Sequence, residues 1–152
     1  NEVIAAAEIL NSEFYIGSDV WSLTSINELV REGQAVHRWN TLHPLEAPKT
    51  CYVEKMVSKL KGPCIVATDY VKSYADQLRA YLPLPTHVLG TDGYGRSDSR
   101  EALRKFFEVD RYFIVVSALK ALSDIGKFDK ELVSTAIANF GIDQEKQNPL
   151  FL

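Results

Sequence analysis

Three histidines, two cysteines and one glycine-rich loop are what this sequence offers for chemistry. His37, His43 and His87 are not spaced for a metal site or a nucleophilic triad, which need partners within hydrogen-bond reach. His37 reads as solvated on a polar helix face, and His87 as a satisfied residue within a strand. His43, in the loop Leu42-His43-Pro44 beside Trp39, is the histidine best placed for a polar contact. Cys51 and Cys64 form no CxxC pair and have no histidine in zinc-finger register. A structural zinc site needs four nitrogen or sulfur ligands, so these two read as reduced, mostly buried thiols.

The glycine loop lies within Val88–Asp110, VLGTDGYGRSDSREALRKFFEVD. An apolar run stops at Gly90, a loop dense in Gly, Asp and Ser follows, and a helix begins near Asp98. Asp98 with Glu101 fits a capping box. Gly93-x-Gly95-x-x-Asp98 is only loosely like a dinucleotide fingerprint, because an acid stands where the third glycine belongs. Asp92 and Asp98 would repel a pyrophosphate at the point where a helix N-terminus should attract it. The loop therefore reads either as a tight turn leading to a capped helix or as an interface loop. In open α/β sheets the carboxyl ends of strands are where ligands and partner chains meet the fold. Asp69, after the run CIVA, occupies such an end, although capping of the next helix explains it equally well. Tyr70, Tyr74 and Tyr81 read as core and interface, since no basic groove accompanies them.

The elements that must position these residues alternate between helix and strand. Asn1–Phe14 carries Ile4, Ala7, Leu10 and Phe14 on one helical face, and Gly17 ends it. Asp19–Thr24 (DVWSLT) alternates as a two-faced strand does. Ser25-x-x-Glu28 is a capping box opening a helix that Gly33 interrupts. Thr41–Lys49 is a proline-marked loop, and Cys51–Leu60 a helix with Val53, Met56, Val57 and Leu60 inward. Cys64–Ala67 and Thr86–Leu89 are short strands, separated by a helix over Tyr70–Leu82 with Thr68 or Asp69 as its cap. Helices over 99–107, 111–123 and 130–139 follow, the last capped by Asp129. This order predicts an α/β fold, a three-layer α/β/α sandwich around a largely parallel or mixed sheet. Three strands make a thin sheet. With an amphipathic helix at the start, the chain reads as one domain, 1–152, excised from a longer polypeptide just after a strand.

Composition narrows the function classes. The 152 residues are 46% hydrophobic and 24% charged, as in ordinary globular proteins. A formal charge of −3 with no Lys/Arg cluster gives no footprint for nucleic acid. No apolar run approaches the roughly 20 residues that span a bilayer. The first residues lack the basic and apolar regions of a secretory signal, and a cytoplasmic location is expected.

Several stretches carry a resemblance: SDVWSLTSINEL, RWNTLHPLEAPK, VATDYVKSYADQLRAYLP, the glycine-loop segment and the closing NPLFL. In this order they resemble the C-terminal domain of the homodimeric bacterial pyruvate dehydrogenase family and, more distantly, that of transketolase. The resemblance covers essentially the whole chain. It implies the third domain of a thiamine-dependent enzyme that decarboxylates pyruvate and reductively acetylates a lipoyl group on dihydrolipoyl acetyltransferase. It also implies a sheet with one strand preceding Asn1, and a role in forming the homodimer and shaping the entrance to the active site.

Thiamine diphosphate and Mg²⁺ are implied for the parent enzyme, held by its other domains. The family's diphosphate- and metal-binding motif is absent, and Gly90-Thr-Asp-Gly93 is not it. No catalytic, cofactor-binding or metal-binding residue is carried over, and the isolated segment is expected to be inactive. His43, Asp92, Arg96, Ser97 and Asp98, all in loops, are the candidate interface or entrance contacts. Two other readings remain: the matching domain of another transketolase-like thiamine enzyme, and a nucleotide-binding α/β module.

Overall fold

A computed structural model describes residues 1–152 and contains seven α-helices and two strands. Helix α1 is Glu2–Phe14, α2 Ile26–Leu42 and α3 Tyr52–Val57. Strand β1 is Cys64–Ala67, followed by α4, Lys72–Asp76, and a 3₁₀ turn over Gln77–Tyr81. Strand β2 is Thr86–Leu89. Helices α5, Arg100–Phe106, α6, Arg111–Asp124, and α7, Lys130–Asn139, complete the α-helical set, and a last 3₁₀ turn covers Pro149–Phe151.

The two strands pair in parallel, with Cys64 opposite Thr86 and Ala67 opposite Leu89. Side chains alternate across a strand, so the sheet has two distinct faces. Ile65, Ala67 and Leu89 pack against a core made by α1, α6 and α7, in which Ala6, Leu10, Val115 and Leu119 are buried. Cys64, Val66 and Val88 pack on the opposite side against Val30 of α2, Cys51 just before α3, Ala75 of α4 and Leu78 of the 3₁₀ turn. Helices thus cover both faces, giving the expected three-layer α/β arrangement around a small parallel sheet. Helix α6 contacts α1, α7 and both strands. That central position is why it buries small residues such as Ala118 and Ala121 alongside Ile114 and Leu119.

Several local expectations need correction. Asp19–Thr24 is not a strand: residues 17–24 make no backbone hydrogen bond, although Val20, Trp21 and Leu23 remain exposed. Alternation marks a two-faced segment, but strand structure also requires a neighbour to pair with. Helix α1 ends before Gly17, at Tyr15, which takes a left-handed conformation with φ 56°. Its buried face runs through Ala6 and Leu10 with Val3, Ile9 and Phe14, leaving Ile4 exposed. Helix α2 passes through Gly33 without a break, and the Tyr81 ring lies directly on that glycine, where a side chain would clash. The helix expected over 70–82 is instead one short α-helix running into a 3₁₀ turn. Met56, expected to face inward on α3, is exposed.

The caps also differ in part. Ser25 accepts from the Glu28 amide at 3.3 Å, and Asp129 accepts from the Glu131 amide at 2.8 Å, both as expected. Neither Thr68 nor Asp69 caps α4; its cap position is Val71, which has no side-chain acceptor. Ser99, rather than Asp98, caps α5, accepting from the Ala102 amide at 3.2 Å.

Candidate functional site

The carboxyl ends of β1 and β2 open on one side into a cleft of about 500 Å³. Asp69 lies after β1, Thr91 and the glycine loop lie after β2, and Arg100, Leu103, Arg104 and Phe107 reach in from α5 and its end. A smaller hollow of about 170 Å³ adjoins it, sharing Asp69 and Arg104 and reaching Glu2 at the start of α1. The glycine loop is fixed by what its glycines touch. A Cβ on Gly90 would stand 2.7 Å from the Tyr70 carbonyl oxygen, and one on Gly93, where φ is +99°, 2.5 Å from the Pro149 carbonyl oxygen. Both close approaches are therefore made to this chain's own backbone. The Thr91 amide donates to the Tyr70 carbonyl at 2.8 Å, and the Thr91 hydroxyl to the Asp69 carbonyl at 2.8 Å. The closing segment packs on the loop through Pro149 and Leu150 and is anchored by Lys146, which donates to the Phe106 carbonyl at 2.6 Å.

The candidate residues do not converge on one point. Arg96 and Asp98 line the cleft. The Arg96 guanidinium lies 4.5 Å above the Phe106 ring, within cation–π range. Asp98 accepts from the Ser99 amide at 2.6 Å, which turns it toward the start of α5. Ser97 is exposed beside them. Asp92 turns the other way and accepts from the Lys72 amide at 2.8 Å, satisfying a first-turn donor of α4 that the local sequence leaves open. His43 is outside the cleft, at the end of α2. Its ring stacks on Trp39 at 4.3 Å, and its Nδ1 is 2.7 Å from the Trp39 carbonyl oxygen. Lys49 lies 3.8 Å from the centroid on the same tryptophan, so the HPLEAPK loop folds back onto α2.

Sequence reading missed the electrostatic centre of this end of the molecule. Glu2, with only 15% of its side chain exposed, pairs with Arg111 at 2.9 Å and with Arg104 at 3.3 Å. The hydrogen bond from the Arg111 side chain, against a smaller opposing effect of burial, holds the Glu2 carboxyl below its usual range; the Arg104 charge adds to this. Glu2 and Arg111 are 109 positions apart, and no local pattern joins them. The arginines were partly legible, since Arg100 and Arg104 stand one helical turn apart, on the same side of α5.

The thiol chemistry is muted. Cys51 is buried, and burial pushes the Cys64 thiol up, away from the reactive thiolate. No group of three His, Cys, Asp or Glu side chains is placed to hold a metal ion. The tight glycines of the loop are closed by Tyr70 and Pro149, where a phosphate cradle would present open amides. These residues do not fit a metal–diphosphate group.

Residues 1–110 match the model of the transketolase-like C-terminal domain family. The chain belongs to this family. Among curated relatives of this transketolase-like domain, the pyruvate dehydrogenase E1 component of Pseudomonas aeruginosa is 55% identical over 150 residues, which are 98% of this chain and 17% of that protein. The E1 component of Escherichia coli K12 is 51% identical over 145 residues, 95% of this chain and 16% of that protein. That of Cupriavidus necator is 48% identical over 149 residues, 98% of this chain and 17% of that protein. The chain thus spans about one sixth of the length of the curated relatives it matches.

Proposed function

We propose that this chain serves as the C-terminal domain of a pyruvate dehydrogenase E1 component, with an architectural rather than a catalytic part in the enzyme. The observation that carries this reading is identity of 55% sustained over 98% of the chain to one such protein. In this reading the parent decarboxylates pyruvate and reductively acetylates the lipoyl group of dihydrolipoyl acetyltransferase, in the cytoplasm. Thiamine diphosphate and Mg²⁺ are held by its other domains, and the cofactor supplies the difficult chemistry. The domain supports the homodimer and borders the entrance to the active site. Arg96, Ser97 and Asp98 are the assigned contacts on the glycine-loop side, Asp92 braces that loop, and His43 belongs to a separate surface at the end of α2.

The unpaired edge of β1 and the segment 17–24, without backbone partners, support a further part of this reading. A strand from elsewhere in a longer polypeptide completes the sheet there, since an unpaired edge is a template for another strand.

Sedimentation of the purified chain, with and without thiamine diphosphate and Mg²⁺, tests the division of labour. The expected result is the same species in both conditions and no carbon dioxide from pyruvate, with turnover appearing once the chain is joined to the remainder of an E1 component. A cofactor-induced change in sedimentation, or turnover by the chain alone, would overturn it.

A further inference from the structure

The cleft beside the glycine loop, lined in part by Arg96 and Asp98, has a charge pattern that the architectural role does not require. Three guanidinium groups border it, Arg96, Arg100 and Arg104, against the carboxylates of Asp69 and Asp98. Arg96 is oriented by its place above the Phe106 ring, and Arg104 by Glu2. Neither Arg96 nor Arg100 has a carboxylate of this chain within ion-pair distance. Asp98 is already an acceptor for the Ser99 amide. The balance at the cleft is positive on a chain whose formal charge is −3. Leu103 and Phe107 add apolar surface beside the charges. A guanidinium presents a planar fork of donors that matches a carboxylate or a phosphate, and the volume lies in the range of small-molecule sites.

We propose that this cleft binds a small organic anion, a carboxylate or phosphate borne on an apolar body. Arg96 and Arg100 take the anionic group, and Leu103 and Phe107 receive the apolar part. Asp69 limits the affinity by repulsion and disfavours multiply charged ligands. This site lies beyond the architectural role above and does not rest on it.

The probes are benzoate and phenyl phosphate, titrated into the full chain by calorimetry and by amide chemical-shift mapping. Benzyl alcohol and inorganic phosphate serve as the neutral and the all-polar comparisons. Saturable binding of at least one aromatic anion is expected, tighter than either comparison, with shifts centred on residues 91–107. The tighter anion identifies the preferred headgroup. The R96A/R100A double variant is expected to lose roughly tenfold or more in affinity, the scale of one lost charge-assisted hydrogen bond. Asp69→Asn is expected to bind severalfold tighter, a gain that a damaged fold would not produce. Absence of binding by both anions at millimolar concentration, equal binding of benzyl alcohol, shifts centred elsewhere, or unchanged affinity in both variants would each overturn the proposal.

Discussion

Replacing Gly33 with alanine sets two effects of known size against each other. In the interior of a long helix the substitution ordinarily stabilises by about 0.5–1 kcal/mol, because glycine has more backbone freedom to lose on folding. At this position the new Cβ would stand 2.6 Å from two carbons of the Tyr81 ring and 2.9 Å from a third. Tyr81 is buried in the core on that side of the sheet, and its ring also lies 5.0 Å from that of His37, so it has little room to retreat. Overpacking of this kind costs about 1–3 kcal/mol. The clash should win, leaving G33A destabilised by about 1–2 kcal/mol, or roughly 2–8 °C in Tm for a chain of this length. Urea unfolding should show a lower midpoint at unchanged slope. In a Y81A background the sign should reverse, because only the helix-propensity gain remains. A G33A variant as stable as the parent, with Tyr81 in place, would refute the reasoning.

Other predictions concern single contacts. Asp92→Ala should destabilise by about 1–2 kcal/mol and speed hydrogen exchange at the Lys72 amide. Asp92→Asn, which keeps an acceptor oxygen, should lose less in urea unfolding; equal losses would exclude the capping role. Glu2 has a lowered pKa in the folded state, so its contribution to stability is present above the ordinary glutamate value of about 4.3 and is lost as the pH falls through the lower, folded value. The Tm gap between the parent and E2Q should therefore be open at pH 7 and close in acid; a gap constant down to pH 3 would contradict this. The Ser123 hydroxyl is buried without a hydrogen-bond partner. Ser123→Ala should raise stability by about 1 kcal/mol in denaturant unfolding, since it removes an unsatisfied group and favours the helix.

The parts of the fold that were legible are those written in local patterns. The run CIVA gave β1, the period of α6 gave its helix, and Ser25 and Asp129 marked real starts, because each depends on residues within a turn or two of one another. What was missed depends on distant partners. DVWSLT has the alternation of a strand, but nothing pairs with its backbone. Helix α4 takes a remote acceptor from Asp92 across the glycine loop, which no rule of adjacent residues anticipates. At the candidate site, the loop and the strand ends were readable, as were Arg96 and Asp98. The Glu2–Arg104–Arg111 cluster was not, because only folding brings the first turn of α1 to the start of α6.

That same long separation bears on how the chain acquires its structure during synthesis. The segment from Cys64 to Leu89 can pair its two strands as soon as it leaves the ribosome, since the crossover between them is local. The apolar face of α1 has no such option, because Ile114, Val115, Ala118 and Leu119, which cover Ala6 and Leu10, are made about a hundred residues later. At translation rates of about 5–20 residues per second, that face waits some 5–20 s for its cover. During that interval it is a greasy stripe on a nascent chain, the kind of surface chaperones hold. Variants that weaken α6 should therefore lower the yield of folded protein more than their equilibrium stability alone would indicate.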